Sequence, residues 1–578
     1  MLHHKSMSLN PFVKNTACRW LERALCALAS KRGWFALTTL VVFAQLGPAQ
    51  AQTPAQNAAR VGGAPLPSLG DNSELSAAAE RRIGDRIAAS IYRDPDYVDD
   101  PVLVDYMQSI WQPLMSAALA RGELNAELQE RFAWQVFLVR DRTVNAFALP
   151  GGYFGVHLGL ISTVTSRDEL AAVMGHELSH VTQRHIARLL TKQSQQAPWL
   201  IGAMILGALA ASKNPQAASA AIVGGQAAAA QSQLNFSRDM EREADRVGFG
   251  VMVDAGFEAK GVVSMFEKLQ QASRLSDNGS FPYLRSHPLS TQRIGEAQAR
   301  LQLVPTSATG AGSTGNNAAA QALFLHAMMA ARARVLSDPG VDVLSPLVSD
   351  ALQFAGTTLS TAKPAAKQAA ALLPTDKTST DVRGAGALYA GALAAAKLRD
   401  FARAKALAAR LQALAESSPE NAASPAVRQA IELLVLEVDL LAGKVPAAEA
   451  TIDLNQAVLR ADLLTKARAV LAAGQARQAS DRLLTWVTLH PKDAAAWQLL
   501  AMAYANQNQS VRAIRADAES RFSELDYAGA LDRLRAAQAM ARSQPGSADF
   551  VESSIIDTRT RQLDLLVREQ ALQDKVDR

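Results

Sequence analysis

Cysteine is nearly absent: the 578 residues contain two, Cys18 and Cys26, both near the N-terminus. Neither has the small, apolar surroundings of a lipid-attachment cysteine. A chain processed beyond them has no disulfide and offers no thiolate, so any metal must be held by His, Asp or Glu. Beyond residue 51 no uninterrupted apolar run reaches the ~20 residues that span a bilayer, which argues against a membrane-embedded protein. A net basic charge is missing as well. Lys5, Lys14, Arg19, Arg23, Lys31 and Arg32 stand against Glu22 in the first 51 residues and account for the whole formal charge of +5. The remainder is neutral, so charge gives no case for a nucleic-acid partner.

That N-terminal segment has the order of a secretory signal. A basic region ends at Lys31-Arg32, an apolar run follows from Trp34 to Ala44, and Ala49-Gln50-Ala51 has the small-x-small form of a cleavage site. The run is too short for an anchor helix, so residues 1–51 are expected to be removed on export across a membrane. The whole chain of 578 residues is 49% hydrophobic and 20% charged, long and apolar enough to build more than one core.

Composition divides it further. Residues 52–72, rich in Ala, Gln, Pro and Gly, read as a flexible lead-in, and 73–303 as a first domain. Within it, helical periodicity covers Leu75–Ile91 and Val102–Ala120. Trp134–Val139 suits a strand, and Asn145–Gly159 reads as extended chain broken at Pro150-Gly151-Gly152, a hairpin or bulged edge. Long helices resume at Arg167. Pro198–Gln231 is an apolar stretch with a polar tip, expected to be a packed helical hairpin or a peripheral membrane contact. Residues 304–318, containing PTSATGAGSTG, read as a linker. Residues 319–578 are helical with recurring turns, at Arg399-Asp400, Gly443-Lys444, Gly474 and Pro491. Trp497-x2-Leu500-Ala501-x2-Tyr504 resembles the tetratricopeptide repeat, whose helix pairs stack into a superhelix with a binding groove. The expected class is therefore mainly α: an α+β domain with a small edge sheet, which the motifs and resemblance described next make zincin-like, followed by a tetratricopeptide-like helical solenoid.

The chemistry centres on His176-Glu177-Leu178-Ser179-His180. Histidines at i and i+4 project from one helical face and can bind one metal ion, with Glu177 beside them to act on water. Leu170, Val173, Met174, Leu178 and Val181 form the apolar face that buries this helix. A catalytic zinc also needs a third protein ligand. Candidates lie in Asp239-Met240-Glu241-Arg242-Glu243-Ala244-Asp245. Glu241 and Asp245, at i and i+4, share a face while Glu243 points elsewhere; one of the pair is expected on the metal, the other orienting a ligating histidine.

These motifs together resemble the M48 family of zinc metallopeptidases. The resemblance covers roughly Leu75–Leu301. It implies His176, His180 and Glu241 as ligands of one zinc ion, Glu177 as catalytic residue and Asp245 as the orienting carboxylate. Asn145-Ala146-Phe147-Ala148-Leu149-Pro150-Gly151-Gly152 resembles the family's substrate-binding edge strand. Ala255-Gly256-Phe257 with Met265-Phe266 resembles the helices that follow the third ligand. Ser286-His287-Pro288 with Arg293 resembles the closing segment of the catalytic domain. By that resemblance His287 lies near the metal, as a displaceable cap or an oxyanion stabiliser, the plain alternative being a structural histidine before a proline turn. Arg293 serves the oxyanion or braces Glu241. His157 and His185 do not follow the ligand spacing. The expected activity is zinc-dependent endoproteolysis. Signal, peptidase and repeats in this order resemble periplasmic family members concerned with outer-membrane proteins. That implies unfolded or misassembled protein clients and docking of the repeats on the barrel-assembly machinery. The competing expectation is a chaperone or assembly scaffold with a normally capped zinc site.

Overall fold

The computed structural model describes residues 75–193, 238–275, 281–304, 313–359, 377–444, 452–543 and 550–576. The signal and lead-in, the apolar stretch 198–231 and linker residues 305–312 lie outside them.

Four strands form one mixed sheet in the order β1-β2-β4-β3: β1 Tyr97–Val98, β2 Gln135–Val139, β3 Ala146–Leu149 and β4 Tyr153–His157. β2 and β4 run parallel, pairing Val136 with Phe154, while β3 lies antiparallel on β4 and forms an edge. Every residue of β4 is buried, as expected for an inner strand covered on both faces. The β3–β4 turn uses Gly151 and Gly152 at φ +75° and +79°, where a side chain would be strained. Two-residue β1 is an addition to the expected strands.

Among the described residues up to 337, the helices around and after the sheet are α1 Ala77–Tyr92, α2 Pro101–Ala120, α3 Ala126–Arg131, α4 Leu158–Thr163, α5 Arg167–Thr182, α6 His185–Gln193, α7 Arg238–Asp254, α8 Lys260–Leu275, α9 Tyr283–Ser286, α10 Thr291–Leu303 and α11 Ser313–Ser337. Ser166 caps α5 by accepting the Glu169 N–H at 3.2 Å, and Asp168 and Glu169 complement the positive end of its dipole. The expected apolar face of α5 is buried throughout, Leu170, Met174, Leu178 and Val181 being inaccessible to solvent. α7 packs against α5 with Gly248 opposite Gly175; a Cβ on Gly248 would lie 2.9 Å from the Gly175 carbonyl carbon. This backbone approach brings the carboxylates of α7 to the histidines of α5.

One apolar core extends from Ala77 to Ala461 and includes Trp111, Phe154, Phe324 and Tyr389. It thus joins the sheet-bearing region to helices beyond residue 313. α11 packs on α4 and α2, where the Tyr106 hydroxyl and His326 Nδ1 are 2.6 Å apart and His326 Nε2 lies 2.9 Å from the Val164 carbonyl oxygen. Buried Arg332 binds Asp100 through two contacts of 2.7 and 2.6 Å and reaches Glu437 at 2.7 Å. Farther on, helices Arg460–Ala472, Ala476–Leu489, Ala494–Asn506, Ser510–Ser523, Tyr527–Ser543 and Phe550–Val576 pack each on the next in chain order. Trp497, Leu500 and Tyr504 are buried on one helix face, as their spacing predicts. Among the described residues no helix is long and apolar enough to cross a membrane. The chain is mainly α-helical with one small sheet.

Candidate metal centre

His176, His180, Glu241 and His287 converge, each offering a ligand atom within 4.8 Å of the others, and all four are buried. The Nε2 atoms of His176 and His180 are 3.0 Å apart. Glu241 Oε2 lies 3.4 Å from His176 Nε2, and Oε1 lies 3.4 Å from His180 Nε2. His287 Nδ1 completes the group, 3.1 Å from Glu241 Oε1 and 3.3 Å from His176 Nε2.

The hydrogen bonds behind the rings decide what the facing atoms can do. His176 Nδ1 lies 2.9 Å from Asp245 Oδ1, so it donates its proton backwards and neutral His176 turns a lone pair forwards. His180 Nδ1 is likewise engaged, at 2.8 Å from His185 Nδ1. Two nitrogen lone pairs and a carboxylate then face one point, an arrangement that repels itself unless a cation stands there. The donor set therefore fits a divalent metal. Glu177 supports the fit from the side: both carboxylate oxygens are buried without a well-formed hydrogen bond, His287 Nε2 standing 3.4 Å from Oε1.

The titration behaviour has the same origin. Burial opposes charge on His176, but Asp245 and Glu241 outweigh it and push the ring up to about 10. A proton and a metal ion are alternatives for that negative field, and the metal must displace the proton. Burial drives His180 well below the usual histidine range, with His176 and His287 adding repulsion. Glu241 is also desolvated, yet His287 first and the close His176 and His180 rings after it hold it far below the carboxylate range. Burial raises Glu177, against attraction from His287 and His176.

Arg293 binds Asp245 bidentately and places Nη1 2.8 Å from Glu241 Oε2, an ion pair more than an aligned hydrogen bond. Burial disfavours charge on Asp245, but Arg293 and His176 bring it down to about 2. Nη1 of Arg293 also donates to the Pro288 carbonyl at 2.9 Å, tying α10 to the His287 turn. His287 itself is stacked on Tyr283, centroids 4.6 Å apart, and the Tyr283 N–H reaches the Val144 carbonyl at 3.4 Å, just before β3. β3 packs on α5; Asn145, Phe147 and Ala148 are half-buried and Ala146 is buried. Pro150, Gly151 and Gly152 are buried under α1, where a Cβ on Gly84 would lie 2.0 Å from the Pro150 oxygen. His157 lies apart from the group, 2.9 Å from the Thr143 hydroxyl.

Sequence spacing passed over two neighbours of the site, His185 and Glu243. α5 ends at Thr182, and Arg184 adopts φ +53°, which turns the chain so that His185 comes back beneath His180. Its other nitrogen, Nε2, meets Glu243 Oε2 at 3.0 Å. Burial, with Arg188 adding repulsion, takes His185 down to about 4.

Residues 108–301 match the family described as peptidase family M48. Over 242 residues it is 35% identical to a putative beta-barrel assembly-enhancing protease of Vibrio cholerae, covering 42% of this chain and 48% of that one. Over 237 residues it is 32% identical to the beta-barrel assembly-enhancing protease of Escherichia coli K12, covering 41% and 47%. In these two matches the chain spans about half the length of its relative. A third, to the Yersinia pestis protein of that name, is 27% identical over 507 residues and covers 86% and 91%.

Proposed function

We propose that this chain is a zinc-dependent endopeptidase of the bacterial envelope that hydrolyses unfolded or misassembled outer-membrane proteins. The observation that carries the reading is the convergence of His176, His180 and Glu241 beside an unsatisfied Glu177. An N2O set of two imidazoles and one carboxylate suits zinc, one ion per domain. Such an ion supplies Lewis acidity, polarising the scissile carbonyl and making water more acidic. Glu177 accepts the proton of the attacking water and returns it to the leaving amine nitrogen. Asp245 orients His176, and Arg293, occupied by Asp245, Glu241 and Pro288, braces the third ligand in place of serving an oxyanion. The edge β3 with Asn145 just before it, through Ala148, pairs with an extended substrate, and Pro150, Gly151 and Gly152 hold that edge at its height beside α5.

The names of the relatives support a role in outer-membrane protein assembly, and with it a periplasmic location reached by the 1–51 signal. The helices of 319–578 are the proposed tetratricopeptide-like domain that docks clients or the barrel-assembly machinery, set off at 304–318. Residues 198–231 are the proposed peripheral membrane contact. A second reading, a chaperone with a capped site, draws on His287, which sits within 3.1–3.3 Å of Glu241 and His176 where a substrate oxygen would have to enter. Glu177→Gln separates the two: hydrolysis of a barrel-protein client is lost under either, whereas rescue of barrel assembly survives only if binding suffices. Full rescue by Glu177→Gln would overturn the proteolytic reading.

A further inference from the structure

His185 supplies no atom to the converging group, yet it is completely buried against His180, and its two ring nitrogens are spoken for in sequence. Nε2 faces the Glu243 carboxylate at 3.0 Å, and Arg188 Nη2 lies 2.9 Å from the same oxygen, keeping it anionic. A carboxylate accepts, so His185 donates from Nε2. Neutral His185 then has its lone pair at Nδ1, directed at His180 Nδ1 2.8 Å away. His180 must therefore carry its proton at Nδ1, and its lone pair falls on Nε2, the atom that faces Glu241.

We infer that His185 and Glu243 are positioning residues, a two-membered relay that sets the tautomer and ring orientation of His180 for the metal. The inference rests on the metal-binding reading above. It gives the two α5 histidines parallel support. His176 is backed by Asp245 and Arg293, His180 by His185, Glu243 and Arg188. The second chain is one ring longer and ends in a carboxylate whose side chain is 32% exposed, against 6% for Asp245. Without the Arg184 turn, His185 would extend α5 five residues beyond His180 and off its face, which is why spacing alone hides it.

The test is zinc affinity of the full chain by competition with a chromophoric chelator, with the visible spectrum of the cobalt-substituted protein as a second readout. His185→Leu, of similar bulk, is expected to weaken zinc by about 10–100-fold and to alter the cobalt spectrum. His185→Asn places an amide oxygen near the lost Nδ1 and is expected to recover affinity to within a few-fold. Glu243→Ala, on the half-exposed end of the relay, weakens zinc in the parent but not in a His185→Asn background, where no ring remains for it to orient. This cycle carries the test even where His185→Leu does not fold. Equal losses from Glu243→Ala in both backgrounds, or parent-like affinity in Glu243→Ala and His185→Leu, would overturn the relay and leave the metal site standing. A parent chain that binds no zinc would overturn both.

Discussion

Arg293 grips Asp245 with two parallel hydrogen bonds, Nε to Oδ2 at 2.6 Å and Nη2 to Oδ1 at 2.8 Å. The pair is buried, and Asp245 spends its Oδ1 on His176 as well. Removing the guanidinium leaves the buried Asp245 and Glu241 without the cation they share, with only histidine rings against them. Arg293→Met is expected to cost about 3–5 kcal/mol in denaturant unfolding and to lower zinc affinity by about 10–100-fold. Arg293→Lys keeps the charge but not the fork, and is expected to fall between. A parent-like zinc affinity in Arg293→Met would show that the brace is not needed.

His287 occupies the mouth of the metal centre and is held by its stack on Tyr283. His287→Ala is expected to keep one zinc per chain, since His176, His180 and Glu241 remain. Its hydrolysis of an unfolded substrate such as casein should rise several-fold over the parent. A drop in turnover at unchanged zinc content would instead assign His287 to the oxyanion or to substrate.

A pH effect is expected far from the site. Asp105 accepts the Ala461 N–H at 2.7 Å, and burial, reinforced by Asp493 and Asp462, lifts its carboxyl to about 6. The folded protein then holds this proton more tightly than the unfolded chain, whose value is near 4. Stability is highest below that lower value, falls as pH rises between about 4 and 6, and carries the full penalty above 6. Asp105→Asn, which keeps an oxygen for Ala461, is expected to raise unfolding stability by about 1–2 kcal/mol at pH 7.5 after allowance for partial solvation, and by about half that at pH 5. A gain equal at both values would place the effect elsewhere.

The contact between α2 and the helices beyond 313 turns on Arg332. Its guanidinium is 4% exposed and paired with Asp100 and Glu437. Burial disfavours the Asp100 anion, but Arg332 more than compensates and lowers it. Arg332→Leu strands a buried aspartate at the N-cap of α2 and is expected to cost about 3–5 kcal/mol. Tryptophan fluorescence on denaturant unfolding, with Trp111 in that core, reads the loss. An unchanged midpoint would mean that the shared core does not depend on this ion pair.

Much of the site was legible because its parts are local. His176 and His180, and again Glu241 and Asp245, are i,i+4 pairs whose common face follows from helical geometry alone. The strand-turn-strand of residues 146–157 showed itself through Pro150-Gly151-Gly152, and α5 through its apolar period. What escaped is non-local or depends on one dihedral angle. β1 is two residues long and has no period to read; it exists by pairing Tyr97 with Val139 and Val98 with Leu138. His185 joins the site through the positive φ of Arg184, an arginine that composition does not mark as a turn. Leu525, at φ +61°, packs against the cluster that holds Ile83, Phe137 and Tyr153, a long-range association that no window of sequence contains. The core shared by Phe154, Phe324 and Tyr389 is hidden for the same reason.

The most direct measurement is zinc content alongside casein cleavage for the processed chain and its Glu177→Gln variant. The account predicts one zinc per chain in both, with cleavage by the parent alone. A parent that carries no zinc after metal-replete purification, or a Glu177→Gln variant that cleaves at the parent's rate, would contradict it.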